Sequence, residues 1–329
     1  MTNYLITGSS GFVGKNFIDY LNDNTVNTSV LGIDINEPSF NKDKYSNLKI
    51  KFEKADLRER DKVSKLIYDF KPKYILHLAS YSSVAGSWRN PNYCFQNNVN
   101  IFLNLLEDIR KTGTDCRIIS VGSSDVYGTV KFSDLPIKEA QDLNPLSPFG
   151  IARYSQELLS QMYTNVYGMN IVITRSFNHI GPGQSENFAI SSFAKQITEI
   201  KKSSGNEFIV TGDVSVVRDF IDVRDVVRAY HQLFLKGKRG EVYNVCSGCG
   251  ISLHNIIQML CEIMELRLSI RENKKLRRPA DIPVIVGCNE KLKMQTNWSN
   301  EIMLEESLRD ILTEYLLRDH NTVKYSYKN

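Results

Sequence analysis

Short apolar runs alternate with amphipathic stretches along the first half of the chain. Runs at residues 5–7, 30–33, 49–52, 74–79, 117–121 and 171–175 read as strands, and the one at 74–79 is too apolar for a half-exposed strand. Helical spacing of apolar residues is clearest at 91–111 and 148–166, and a further helix begins near Asp61. Strands separated by helices at intervals of about 25–40 residues imply right-handed crossovers and an α/β fold with a doubly wound parallel sheet.

The rhythm changes beyond Phe177. Gly181-Pro182-Gly183 breaks the chain, a helix runs over 188–201, and 209–210 reads as a short strand. A helix at 223–235 and a seventh strand at 242–245 follow, then helices around 252–266 and 303–318 joined by a basic, Pro-containing loop. This remainder is too small for an independent core. It is expected to be a smaller C-terminal lobe closing over the carboxyl ends of the strands, where open α/β sheets bind ligands. The last residues, 321–329, are polar and read as a frayed tail.

The first strand leads into Gly8-x-x-Gly11-x-x-Gly14. The first glycines let backbone N–H groups approach a pyrophosphate with no Cβ in the way, and the last lets the new helix pack on its strand with its positive end toward the anion. The second strand ends in Asp34, at the distance of about 20 residues where a dinucleotide site needs an acceptor for ribose hydroxyls. A carboxylate there repels a 2′-phosphate, so NAD is favoured over NADP. Asp56, at the carboxyl end of the third strand, is placed either to hold an adenine amino group or to cap the next helix. These features make residues 1–177, completed by about 214–247, a Rossmann-type domain, with 178–213 and 248–320 as the substrate lobe.

Composition narrows the alternatives. The 329 residues carry a net charge of +4 without a long basic run, which argues against nucleic acid as a partner. No apolar run approaches membrane-spanning length, and the first strand starts almost at Met1, so a cytoplasmic protein without a signal peptide is expected. Cys246-x-x-Cys249 has neither a second pair nor a nearby histidine, and the five histidines are dispersed, so no metal is expected. No Gly-x-Ser-x-Gly elbow marks a hydrolase.

Several stretches coincide with one family. The glycine turn, His77-Leu78-Ala79 and Gly122-Ser123-Ser124-Asp125-Val126-Tyr127-Gly128 resemble the extended short-chain dehydrogenase/reductases that act on nucleotide sugars. Arg175-Ser176-Phe177-Asn178-His179-Ile180-Gly181-Pro182-Gly183-Gln184, Arg218-Asp219-Phe220-Ile221-Asp222-Val223-Arg224-Asp225, Tyr243-Asn244-Val245-Cys246-Ser247-Gly248 and Arg278-Pro279-Ala280-Asp281 are similar to the GDP-4-keto-6-deoxy-D-mannose reductases and GDP-mannose 4,6-dehydratases. The resemblance covers about 3–318. It implies that NAD is held by Gly8, Ser10, Gly11, Phe12, Val13 and Gly14 at its diphosphate, and by Asp34, Ile35, Asp56 and Leu57 toward the adenosine. Leu78, Ala79, Ser80, Asn98, Arg153, Phe177 and His179 would complete the cofactor site. Ser82, Ser123, Ser124, Asn178, Arg218 and Arg278 would hold a GDP-sugar, the arginines at its diphosphate, where planar permanent cations suit the task. Asp125 stands where the dehydratases carry a glutamate, and a homodimer or tetramer through the helices at 91–111 and 148–166 is implied. Asn98 is read as an inward structural hydrogen-bonder and His179 as a loop histidine near the cofactor.

One signature departs. The family's Tyr-x-x-x-Lys, whose phenol exchanges a proton with the sugar while the lysine binds the nicotinamide ribose, is here Phe149-x-x-x-Arg153. Both side chains still share a helix face, but Phe149 cannot carry a proton and Arg153 cannot shuttle one at neutral pH. The expected activity is NAD-dependent hydride transfer at C4 of a GDP-linked sugar for surface glycans, with Ser123 and a water, Asp125 or Tyr127 as proton relay. The alternatives are a catalytically weakened member that binds NAD(H) and GDP-sugar, or a GDP-sugar 4,6-dehydratase.

Overall fold

The computed structural model describes residues 1–38, 44–203, 208–277 and 279–318. Its first half holds β1 (Thr2–Thr7), α1 (Phe12–Asn24), β2 (Thr28–Asp34), β3 (Leu48–Lys54), α2 (Arg60–Phe70), β4 (Tyr74–His77), α3 (Val84–Arg89), α4 (Pro91–Phe95), α5 (Ile101–Thr112), β5 (Arg117–Ser123), α6 (Pro148–Tyr167) and β6 (Asn170–Ser176). Its second half holds β7 (Asn178–Ile180), α7 (Ala189–Ser203), β8 (Phe208–Thr211), β9 (Val217–Asp222), α8 (Val223–Lys236), β10 (Val242–Val245), β11 (Gly250–Ser252), α9 (Leu253–Ile263), β12 (Ser269–Glu272), β13 (Val284–Ile285), α10 (Glu290–Thr296) and α11 (Leu304–Leu317).

Seven strands form one parallel sheet in the order β10-β6-β5-β4-β1-β2-β3. Period-two alternation along each strand covers both faces. Tyr4 and Ile6 pack with Phe17 and Leu21 of α1 and Phe234 of α8, whereas Leu5 packs with Ile67 of α2 and Leu105 of α5. Leu76, Ile119 and Val172 repeat the first pattern, and Ile75, Ile118 and Ile171 the second. The strand order reverses direction between β1 and β4, which opens a crevice at the carboxyl ends of these strands.

The remaining chain builds a lobe over that crevice. Strands β7, β11 and β13 all pair with β9, β12 pairs with β8, and α7, α9 and α11 share a core that includes Phe193, Ile197, Leu260 and Ile311. Residues 214–247 divide between the two parts: β9 lies in the lobe's sheet, while α8 and β10 complete the parallel sheet. The helix expected over 91–111 is present and continuous, with one π-helical turn (Gln96–Asn100) between α4 and α5. The tail at 321–329 lies outside the described residues. Among those described, no helix is long and apolar enough to cross a membrane, and no group of three or more His, Cys, Asp or Glu side chains is placed to hold a metal.

Candidate active site

The glycine turn sits at the crevice because its backbone permits it. Gly8 adopts φ +71°, and a Cβ there would lie 2.7 Å from Ala79 N, so the turn rests directly on the exit of β4. A Cβ on Gly14 would meet Gly8 O at 2.6 Å, which explains how α1 starts so close to β1. Helix α1 is N-capped by Gly11, with no side-chain cap and no acidic residue in its first turn. Its first N–H groups, at Phe12 and Val13, are therefore left to an external acceptor. Phe12 packs against Gly181 and Gly183, which brings the 181–183 turn beside the same helix end.

Asp34 stands at the carboxyl end of β2, beside the glycine turn. Its carboxylate accepts from Ser10 N at 3.0 Å and Asn36 N at 2.9 Å, and burial nevertheless raises its pKa above the usual carboxylate range. Ile35, next along, is exposed, whereas Leu57 is a buried core residue. Asp56 neither caps α2, whose N-cap is Glu59, nor stands open. It accepts from the Arg58 guanidinium at 2.6–3.0 Å, which lowers its pKa.

The strand ends β4 and β5 supply the next residues. Thr7 Oγ1 takes a hydrogen bond from Ala79 N at 3.2 Å and pairs with His77 Nδ1 at 2.9 Å. His77 is buried, and desolvation, helped by the positive charge of Arg153, holds its pKa near 3. Asn98 projects from the π-turn and donates to Cys94 O at 2.8 Å and Tyr81 O at 3.2 Å, so it fastens the loop carrying Ser80 and Ser82 to the helix. On β5, Ser123 Oγ accepts from Asp125 N at 3.2 Å, which leaves its own proton to donate elsewhere. Ser124 is buried. Asp125 lines a narrow cleft between the sheet and the lobe, together with Val84, Ser147, Arg218 and Asp281.

Phe149 and Arg153 lie one turn apart on α6, both buried. The Arg153 guanidinium stands 5.1 Å from the Phe149 ring centroid and donates through Nη1 to Val121 O at 3.1 Å and Gln156 Oε1 at 2.7 Å. Its Nε is shielded from solvent without a hydrogen-bond partner, and among the described residues it forms no ion pair. Burial lowers its pKa to about 10, so it stays charged at neutral pH.

The lobe holds its candidates in structural bonds. Asn178 Nδ2 donates to Asp219 O at 3.1 Å, and Arg218 pairs with Asp281 at 2.7 Å. Arg278 lies outside the described residues. His179 has a solvent-shielded Nε2 without a partner, and burial lowers its pKa to about 4. Two further candidates are packed in the core. The Phe177 side chain belongs to the cluster of Val126, Tyr127, Ile137 and Cys246 that joins the lobes. Tyr127 is 1% exposed, donates to Asn244 Oδ1 at 2.6 Å, and burial raises its phenol pKa despite Arg175 beside it, which disfavours it as a proton relay.

The chain matches the sequence profile of GDP-mannose 4,6 dehydratase over residues 5–311. It belongs to that family. It is similar to GDP-6-deoxy-D-mannose reductase of Pseudomonas aeruginosa, at 33% identity over 310 residues, 94% of this chain and 96% of that protein. It is 29% identical to GDP-6-deoxy-D-talose 4-dehydrogenase of Aggregatibacter actinomycetemcomitans over 293 residues, 88% and 89% of the two chains. The solved structure of RMD from Pseudomonas aeruginosa complexed with NADPH superposes with a TM-score of 0.84 at 32% identity, covering 97% of this chain and 100% of that one. The fold of this GDP-mannose 4,6 dehydratase family member is thus the extended short-chain dehydrogenase/reductase fold.

Sequence reading missed Gln156, Ser147 and Asp281 at this site. The signal for Gln156 was present: a polar residue three positions after Arg153 falls on the same buried helix face. Nothing in the sequence pairs Asp281 with Arg218, 63 residues away.

Proposed function

We propose that the chain is a nicotinamide-dependent oxidoreductase acting at C4 of a GDP-linked sugar, in the making of nucleotide sugars for surface glycans. The observation that carries this reading is the glycine turn seated on Leu78–Ala79, with uncapped helix N–H groups on one side and Ser123 at the end of the neighbouring strands. The residues fit the cofactor: the cradle tolerates no Cβ at Gly8, and Arg153 Nε is a buried donor still lacking an acceptor. When bound, a nicotinamide supplies the hydride chemistry.

The protein's own part is binding, orientation and charge. Phe12 and Val13 N–H groups hold the diphosphate, and Asp34 takes the adenosine ribose hydroxyls, which favours NAD over NADP. Ser123 Oγ donates its proton to the sugar oxygen at C4. Arg153 adds a fixed positive charge where negative charge develops on that oxygen, in a dry setting that strengthens it. Phe149 moves no proton. Asp125, in the cleft with Ser147 and Arg218, exchanges the proton with water, and Arg218 with Arg278 binds the GDP diphosphate. Leu158, Met162 and Val166 form an exposed apolar stripe on α6, the face through which we expect a homodimer.

The test is the purified chain with NADH and GDP-4-keto-6-deoxy-D-mannose, followed at 340 nm, with NADPH in parallel. Loss of absorbance, faster with NADH, supports the reading. Tight binding of both ligands without turnover favours the catalytically weakened alternative, to which the missing hydroxyl at Phe149 points.

A further inference from the structure

The polar side chains that helix α6 buries include Arg153, Gln156, Glu157 and Ser160. Glu157 is accounted for by its bidentate pair with Arg175. The other three form a separate chain. Arg153 Nη1 donates to Gln156 Oε1 at 2.7 Å, Gln156 Nε2 donates to Ser120 Oγ at 2.9 Å and Val121 O at 3.2 Å, and Ser160 Oγ lies 2.9 Å from Ser120 Oγ. The amide of Gln156 is thereby fixed in one orientation, its NH2 on β5 and its carbonyl oxygen on Arg153. Apolar side chains would fill this seam without the desolvation cost of four polar groups.

We propose that Gln156 is a positioning residue for Arg153. This rests on the reading of Arg153 as the charge facing the reacting oxygen. A guanidinium is a planar fork, and one acceptor leaves that plane free to turn about the bond. Gln156 Oε1 and Val121 O converge on the same nitrogen, while the Phe149 ring bounds one face, so the plane is set from one edge only. The Nε edge is left uncommitted for a ligand oxygen. Ser120 and Ser160 hold Gln156 from behind and keep its carbonyl from swinging away.

The experiment is a double-mutant cycle on the full chain, with Gln156→Met, Arg153→Lys and the double variant. It reads NADH dissociation by fluorescence and steady-state kcat and KM with GDP-4-keto-6-deoxy-D-mannose. In the Arg153 protein Gln156→Met should lower kcat about tenfold and weaken NADH several-fold, with KM for the sugar nucleotide held within about twofold. In the Arg153→Lys background, which has no fork to orient, the same change should cost less than about twofold. Should Gln156→Met fail to fold, Ser120→Ala removes only the hydroxyl behind the amide and should lower kcat about threefold with arginine at 153 and leave it unchanged with lysine. Equal losses in both backgrounds, or none, overturn the inference while leaving the site reading intact. A wild-type chain that neither binds NADH nor reduces the sugar overturns both.

Discussion

Arg175 on β6 and Arg153 on α6 are 5% and 6% exposed, yet their surroundings differ completely. Arg175 places Nε and Nη2 on the two oxygens of Glu157 at 3.0 and 2.7 Å, and Nη1 on Glu139 O and Tyr127 Oη at 2.8 and 3.0 Å. Burial opposes its charge, but the bonds to Glu157 outweigh burial and hold its pKa above the usual arginine value. Arg153 has two carbonyl-type acceptors on one nitrogen and an aromatic ring; among the described residues no carboxylate is bonded to it, and the Asp125 charge offsets only part of the effect of burial. A buried charge with its fork filled belongs to the fold, whereas one left partly bare is held ready for something that arrives. Both are equally buried and their partners, Gln156 and Glu157, are neighbours on α6, so the contrast does not come from depth.

The largest expected effect separates the two arginines by stability. Arg175→Met leaves Glu157 buried and unpaired and should cost about 3–5 kcal/mol in urea denaturation. Arg153→Met removes a buried charge that no carboxylate is bonded to and should change stability by no more than about 1 kcal/mol, or raise it. Similar losses in both would dissolve the distinction.

His77 provides a pH test of the same idea, since desolvation first and the Arg153 charge second hold its pKa near 3. A histidine depressed in the folded state contributes stability that is present above about pH 6.5 and lost as pH falls toward its folded pKa. Relative to His77→Phe, the wild type should lose about 1.4 kcal/mol per pH unit below pH 6.5. Arg153→Met should raise the His77 pKa seen by NMR. An unmoved titration would mean that the Arg153 charge is compensated after all.

At the other end of the crevice, Asp34→Asn removes the carboxylate proposed to oppose a 2′-phosphate and should improve NADPH affinity relative to NADH by about tenfold. An unchanged ratio would assign cofactor choice elsewhere. The smallest effect in stability falls on the outward side of α6. Leu158→Glu should shift the folding free energy by only about 0.5 kcal/mol while sedimentation changes from dimer to monomer.

How much of this was legible depends on range. The strands of the parallel sheet and the Gly8–Gly14 turn announce themselves through local runs and spacing. Strands β7, β11 and β13 do not, because two or three residues show no period and exist as strands only through pairing with β9. The π-helical turn at Asn98 was hidden for a different reason: one such turn barely disturbs the apolar spacing on either side of it. At the site, the shared face of Phe149 and Arg153 followed from helical geometry. That Gln156 and Ser120, 36 residues apart, would meet behind Arg153 did not. Tyr127 looked like a relay because its motif ends at a strand terminus, but Asn244, 117 residues on, takes its proton donor.

Thermal or chemical unfolding of the wild type and Arg153→Met, each with and without NADH at about a hundredfold excess over the wild-type Kd, puts the claim about Arg153 to its most direct trial. The wild type should gain about 2.7 kcal/mol, and the variant, if it binds tenfold more weakly, about 1.4 kcal/mol from an equal or higher baseline. Identical gains in the two proteins, or a variant that unfolds well before NADH is added, would contradict the account.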